Sequence, residues 1–146
     1  MTNRDPAPAD SGSAVIEFIV IGVAVLVPMV YVVQCVMTVH SAVLATTQAA
    51  REAARAFSTA ATVVEGQRRA TAAARLAFSD QGIELPGEAL RVRCVDGPCL
   101  APGSAVVVTV DWEAPLPWVP DAWSSDAVVP VRSSQRVPVD NLRSDQ

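Results

Sequence analysis

Residues 12–18 read Gly12-Ser13-Ala14-Val15-Ile16-Glu17-Phe18, and an apolar stretch of membrane length follows them directly. No Asp, Glu, Lys or Arg occurs between residues 18 and 50. At about 1.5 Å of rise per residue, a helix over residues 13–40 is long enough to cross a hydrocarbon core of roughly 30 Å. The sequence therefore predicts an N-terminal transmembrane helix at 13–40, with the lipid bilayer as its first partner.

Glu17 needs an explanation of its own, because an ionised carboxylate at bilayer depth is costly and usually has a partner or a function. One interpretation places it at the membrane surface, where the helix dipole favours an anion. Its neighbours favour another, since the segment 12–18 resembles the processing motif of type IV prepilins. In that motif a prepilin peptidase cuts after the glycine, and a glutamate is the fifth residue of the mature chain. The resemblance implies a leader at 1–12, which we expect to be disordered, and a cut between Gly12 and Ser13.

The cut would give Ser13 a free α-amine, which is cationic at neutral pH. In an assembled filament, Glu17 of one subunit would then face the Ser13 amine of its neighbour. An unpaired charge in a low-dielectric environment costs several kcal/mol, so this pairing would penalise a wrong axial register between subunits. We therefore predict that Glu17 is an assembly carboxylate.

A second motif lies outside the predicted membrane helix, at Gln48-Ala49-Ala50-Arg51-Glu52-Ala53-Ala54-Arg55-Ala56. A Glu-Phe pair at the head of an apolar helix, followed about thirty residues later by Ala-Ala-Arg-Glu-Ala-Ala-Arg, is similar to the TadE-like family of the tight-adherence (Tad) pilus system. That family comprises small single-pass proteins that act as minor pilins or pseudopilins. The resemblance covers roughly the first sixty residues, and the distal half matches only in general plan.

The resemblance implies that the partners are other pilin or pseudopilin subunits and the membrane platform proteins of the Tad system. Phe18, Arg51, Glu52 and Arg55 are then candidates for subunit contacts. The alternative for the three charged residues is a solvated stripe just outside the bilayer. This alternative is favoured because exposed ion pairs contribute little to stability. Pro28 removes one backbone hydrogen bond and is predicted to kink the membrane helix without ending it.

Residues 41–82 are predicted to form a helical stalk and a domain helix, because they are rich in Ala and contain no proline. Gly66 marks the best place for a break, within the interval 58–66. The helix should end at Gly82, a typical C-cap residue, since Pro86 and Gly87 forbid its continuation.

Residues 83–146 are predicted to form a small antiparallel β domain with a disordered tail. Alternating or β-branched runs predict strands at 89–95, 104–112 and 128–139. Pro130 and Pro138 confine the third strand to an edge or break it into two pieces. The expected fold class is α+β: a long pilin-like transmembrane helix continues into an extracytoplasmic helix that packs on a small antiparallel sheet.

Cys94 and Cys99 are predicted to form a local disulfide. The spacing could supply half of a zinc site, but the sequence has no further Cys pair or distal His to complete four ligands, so we expect no metal. A disulfide suits an extracytoplasmic domain. This argument and the processing motif place the N-terminus in the cytoplasm and the C-terminal domain outside, although Arg51 and Arg55 weigh against that orientation.

Three tryptophans lie within twelve residues, at Trp112, Trp118 and Trp123. Trp112 continues a strand and is predicted to pack into the core. For the other two, a partner-binding surface, core packing and contact with the membrane interface all remain open.

Charge and motif content exclude several classes of function. A net charge of −4, with eleven Arg and no Lys, argues against a nucleic-acid-binding protein and offers no polybasic lipid patch. The sequence has one His, no Gly-rich phosphate loop and no nucleophile motif, so we predict a non-enzyme without a cofactor.

Two alternatives to a pilus protein remain. Residues 18–39 could be a cleaved secretory signal, with Val43-Leu44-Ala45 as the peptidase site and a secreted binding domain starting at Thr46. The segment could also be a plain single-pass anchor for an extracytoplasmic binding domain, in which case the mature chain would begin at Met1 or Thr2.

Overall fold

The computed structural model describes residues 13–119 and 127–140. Its elements are the helices α1 (Ser13–Ser58) and α2 (Val63–Ser79) and the strands β1 (Leu90–Val95), β2 (Ala105–Pro115) and β3 (Val128–Pro138). The fold class is therefore α+β, as predicted. The chain divides into two compact units, Met1–Val36 and Met37–Gln146, and α1 contributes residues to both.

The described part of the first unit is helical, and its large apolar side chains are exposed. The most apolar window of α1 has a mean hydropathy of 2.6, and none of that window is buried. By length and composition this helix could cross a membrane, a property that a signal sequence near an N-terminus shares. Pro28 lies inside α1, so this proline does not end the helix, in agreement with the prediction.

In the second unit, one face of α1 is buried with helical spacing. Its buried residues are Ala42, Ala45, Thr46, Ala49, Ala50, Ala53, Ala54 and Phe57. Because most of these side chains are single methyl groups, the helix backbone lies close to the elements that cover it. The Thr46 hydroxyl donates to the Ala42 carbonyl at 2.6 Å, which satisfies a buried polar group.

The break between the two helices lies at residues 59–62 and not at Gly66. Thr62 is the N-cap of α2: its hydroxyl oxygen accepts from the Glu65 amide at 3.2 Å, and the Glu65 carboxylate accepts from the Ala61 amide at 3.3 Å. These bonds satisfy the amides that a helix start leaves without partners. The predicted interval for the break, 58–66, is therefore correct, but the choice of Gly66 as the best breaking point within it was wrong.

Gly66 lies buried inside α2 because it faces Phe57 across the helix–helix contact. A Cβ at this position would come within 3.1 Å of the Phe57 ring. Close approach of a neighbouring side chain, and not backbone freedom, explains this glycine.

At its other end α2 stops at Ser79 with Asp80 as the C-cap, three residues before the predicted Gly82. Gly82 follows in the turn with a φ of +69°, and the Ile83 amide donates to the Phe78 carbonyl at 3.0 Å.

The sheet is antiparallel, with strand order β1-β2-β3. β3 is an edge strand, as predicted, and runs continuously from Val128 to Pro138 without the break that Pro130 could have caused. The Val139 amide donates to the Ser104 carbonyl at 2.8 Å on the β2 side. Since hydrogen-bonding direction alternates along a strand, the nitrogens of Pro130 and Pro138 point to the free edge, where they remove no ladder bond.

The core of the second unit lies between the helices and one face of the sheet. Val106, Val108 and Val110 of β2 are fully buried and belong to the same cluster as the alanines of α1 and α2. The predicted helix-on-sheet packing is thus present. Trp112 is half-buried and makes an edge-to-face contact with Phe78, with ring centroids 5.9 Å apart, so its predicted inward packing is correct.

Candidate processing and assembly site

Glu17 lies on the first unit, one helical turn after Ser13, among exposed apolar side chains. It lines a shallow groove with Ile16, Val20 and Ile21. Phe18, next to it, is 77% exposed. Glu17 is the one charged side chain in residues 13–36, so the described part of this unit offers its carboxylate no cationic side chain. This carboxylate must therefore be solvated by water or paired with a chain terminus or a cationic group of another molecule.

Ser13 is the residue that a cut after Gly12 would make the first of the mature chain. It is the first described residue of α1, whereas Gly12 and the rest of the predicted leader lie outside the described residues. Residues four apart on a helix are neighbours on one face. An amine at Ser13 would therefore lie one helical turn from Glu17, on the same side of α1.

The Ala-Ala-Arg-Glu-Ala-Ala-Arg motif divides cleanly between two faces of α1. Ala49, Ala50, Ala53 and Ala54 are fully buried, while the charged side chains at positions 51, 52 and 55 are exposed. The alanines thus have a structural role, because larger side chains would separate α1 from the elements that cover it. This half of the motif is explained by the fold alone.

Arg51, Glu52 and Arg55 form no ion pair with any described residue. They leave an exposed charged stripe on the outer surface of α1. Both predicted roles, a solvated stripe and a subunit contact, are compatible with this exposure. The subunit contact stays a prediction.

Cys94 and Cys99 lie at the tip of the β1–β2 hairpin with their Cα atoms 5.2 Å apart and their sulfur atoms at bonding distance, which fits the predicted disulfide. The turn between them contains Asp96 at φ +63° and Gly97 at φ +140°, and only glycine adopts the second value without strain. Asp96 also forms an ion pair with Arg136 of β3. The hairpin tip is therefore closed by the Cys94–Cys99 pair and linked to the edge strand β3 by an ion pair.

Replacing both Cys94 and Cys99 by serine is expected to destabilise the second unit by about 2 kcal/mol, because a short closed loop removes little entropy from the unfolded chain. Thermal unfolding of the full-length chain with and without a reductant measures this effect. Reductant should lower the melting temperature of the native chain and leave that of the double variant unchanged. Free thiols in chain extracted under non-reducing conditions would contradict the disulfide.

The outer face of the sheet carries an ionic cluster that sequence reasoning missed. Asp111 of β2 forms an ion pair with Arg132 of β3, and its other carboxylate oxygen lies 3.7 Å from an Arg91 guanidinium nitrogen on β1. The only signal in the sequence is that each of these three residues falls at an outward position in the inward–outward alternation of its own strand. Their pairing depends on the strand register, which aligns Asp111 with Arg132. The cluster joins all three strands.

Among the described residues, no group of three or more His, Cys, Asp or Glu side chains is placed to hold a metal ion. Trp118 is exposed, and Trp123 lies outside the described residues. Comparison of the chain with protein-family models, curated proteins and solved structures found no match.

Proposed function

We propose that the chain is a TadE-like minor pilin or pseudopilin, a non-enzymatic structural or assembly component of a Tad-type pilus. It is inserted in the cytoplasmic membrane by α1, with a cytoplasmic N-terminus and an extracytoplasmic second unit, and a prepilin peptidase processes it after Gly12. The observation that carries the proposal is Glu17: a lone carboxylate five residues after a glycine, at the head of an exposed apolar helix.

The physical argument starts from the surface of the first unit. A helix that is apolar on all sides needs lipid or other helices around it. A single carboxylate in such a surface needs an opposite charge once it leaves water. Processing after Gly12 creates that charge one turn away, and packing of subunits side by side brings the two groups of neighbouring chains together. Insertion thus depends on the apolar helix, processing on Gly12, and assembly on Glu17 and on the Ser13 amine that processing creates.

The second unit supports a retained helix over a cleaved secretory signal. A cut before Thr46 would divide α1 within its buried face and remove Ala42 and Ala45. It would also separate Thr46 from the carbonyl of Ala42, to which its hydroxyl donates. A secreted domain starting at Thr46 would therefore lose part of its own core, while a retained α1 keeps it.

The mature N-terminus tests the proposal. The chain is produced in cells with an active prepilin peptidase, extracted from the envelope and analysed by mass spectrometry of the intact protein. We expect a mass that corresponds to a chain starting at Ser13 and a Gly12→Val variant that keeps residues 1–12. Glycine is required immediately before the cut in the processing motif, whereas Gly22→Val, within the apolar helix, should be processed normally.

Other termini would contradict the proposal in distinct ways. A start at Thr46 would indicate secretion after signal-peptide cleavage. A start at Met1 or Thr2 in the same cells would indicate a plain membrane anchor that carries an extracytoplasmic binding domain.

A further inference from the structure

The last residues of β2 lie beside the first residues of the second unit, residues 37–41. Met37, Thr38 and Ser41 line one groove together with Trp112 and Pro115, the last residue of β2. One turn further along α1, Ala42 packs with Ala114 and Val131. The residues that follow Pro115 therefore leave the sheet beside the first residues of this unit.

These residues present an apolar tip to solvent. Residues 115–119 contain no charged side chain, and Trp118 is 89% exposed. Trp118 is also held at φ +63°, which is a rare backbone conformation for a bulky residue. The surrounding structure must hold such a conformation in place, and residues held in this way cluster at functional sites. A single exposed apolar side chain is ordinary, but at Trp118 the exposure coincides with this backbone conformation and with apolar neighbours on both sides in the chain.

If α1 spans a membrane, the bilayer surface meets the chain close to Met37, the first residue of the second unit. Met37 directly follows the apolar unit in the chain, and the apolar stretch ends within a few residues of it. A bilayer surface that meets α1 near this point is therefore close to Pro115. The tether also raises the effective concentration of lipid at the tip far above that of any freely diffusing partner.

We propose that Trp118 inserts into the headgroup region of the bilayer that α1 crosses and holds the second unit against the membrane surface. The indole suits this position because its ring is apolar and its N–H can donate to a lipid carbonyl or phosphate. The inference rests on the membrane-spanning part of the proposed function and does not depend on pilus assembly.

The charge around Trp118 indicates which lipid headgroups are sufficient for its insertion. The tip itself is neutral, and Glu84 lines the groove that contains Met37 and Pro115. An acidic side chain beside the contact gives anionic headgroups no advantage. Insertion should therefore occur in zwitterionic vesicles and change little with the anionic lipid fraction or with salt.

The test uses the full-length chain with Trp112→Phe and Trp123→Phe, so that Trp118 is the only fluorophore of its kind. The chain is reconstituted in phosphatidylcholine vesicles with or without lipids brominated near the headgroup. We expect loss of Trp118 fluorescence in the brominated vesicles and protection from acrylamide in the aqueous phase. A matched chain that keeps only Trp112, which packs on Phe78, should lose little fluorescence to either quencher.

Because Trp112→Phe changes the core, the same quenching is also measured on the native chain and on Trp118→Ser. The difference between these two chains isolates the Trp118 signal in an intact core. Equal fluorescence in the two kinds of vesicle, together with full access of acrylamide to Trp118, would overturn the inference. In that case the tip is open to a protein partner.

Extraction of the vesicles with alkaline carbonate separates this outcome from a failure of the proposed function. Release of the chain by carbonate would refute the membrane span itself. Retention of the chain, combined with unquenched Trp118, would refute only the interfacial contact.

Discussion

Glu17→Gln is expected to leave the chain in the membrane and processed after Gly12, but nearly absent from filaments sheared from the cell surface. The substitution keeps the size of the side chain and removes its charge, so the Ser13 amine of the neighbouring subunit is left without a partner. Breaking a buried charge pair by removing one member costs about 3–5 kcal/mol. At 1.4 kcal/mol per factor of ten, incorporation should fall by roughly 100-fold or more.

Quantitative immunoblotting of the membrane and sheared fractions measures this change, and Glu88→Gln provides the control. Glu88 is an exposed carboxylate of the second unit that lies between α2 and β1 and outside the candidate subunit contacts. Its substitution should leave incorporation unchanged. Normal incorporation of Glu17→Gln would contradict the assembly role, and loss of insertion or processing would assign Glu17 to an earlier step.

Phe57→Ala is expected to destabilise the second unit by about 3–5 kcal/mol, the range for truncation of a buried phenylalanine. Phe57 is 1% exposed, and the other buried residues of α1 are mostly alanines, which cannot fill the cavity that its loss creates. The ring also covers Gly66 of α2 and so connects the two helices. Small domains have only about 5–15 kcal/mol of stability, so this single change removes a large share.

Thermal unfolding of the full-length chain in detergent micelles, followed by near-ultraviolet circular dichroism, measures the effect. A domain of this size loses about 4–8 °C of melting temperature per kcal/mol, which predicts a decrease of more than about 10 °C. Leu76→Ala is the control, because Leu76 of α2 is 65% exposed and its truncation should cost at most about 0.5 kcal/mol. Equal decreases in melting temperature for the two variants would contradict the conclusion that the buried Phe57 ring stabilises the core.

The features that the sequence predicts well are those set by neighbouring residues along the chain. The uninterrupted apolar stretch indicates α1, the change to a period of two indicates the sheet, and Gly82 indicates the end of α2 to within three residues. The predicted strand at 128–139 agrees with Val128–Pro138 to within one residue. Pro130 and Pro138 also indicate an edge position correctly, because a missing N–H is tolerated only where no ladder bond is needed.

The features that the sequence does not predict depend on contacts between distant residues. Gly66 is typical of a helix break when only α2 is considered, and its true role depends on the ring of Phe57 across the interhelical contact. The pairing of Asp111 with Arg132 requires the register of β2 and β3. The opposite environments of Trp112 and Trp118 depend on where β2 ends relative to α2, which composition does not specify.

For the candidate site, the sequence supplies the residues and the structure adds their surroundings. The position of Glu17 in an exposed apolar surface follows from the sequence pattern alone. The burial of the motif alanines does not, because the segment 48–56 has no large apolar residue that would mark an inward face. Burial of small side chains becomes evident only when the opposing elements are in place.

The two prolines of β3 have a consequence for crowded chains. An open sheet edge is a template on which a strand of another molecule can add, and repeated addition leads to amyloid-like stacking. With their nitrogens turned outward, Pro130 and Pro138 leave gaps in the row of donors that an incoming strand would need. Strand addition through this edge is therefore disfavoured even when molecules are packed side by side at high density. Association is then limited to other surfaces, where binding of one correct neighbour leaves no further site for addition.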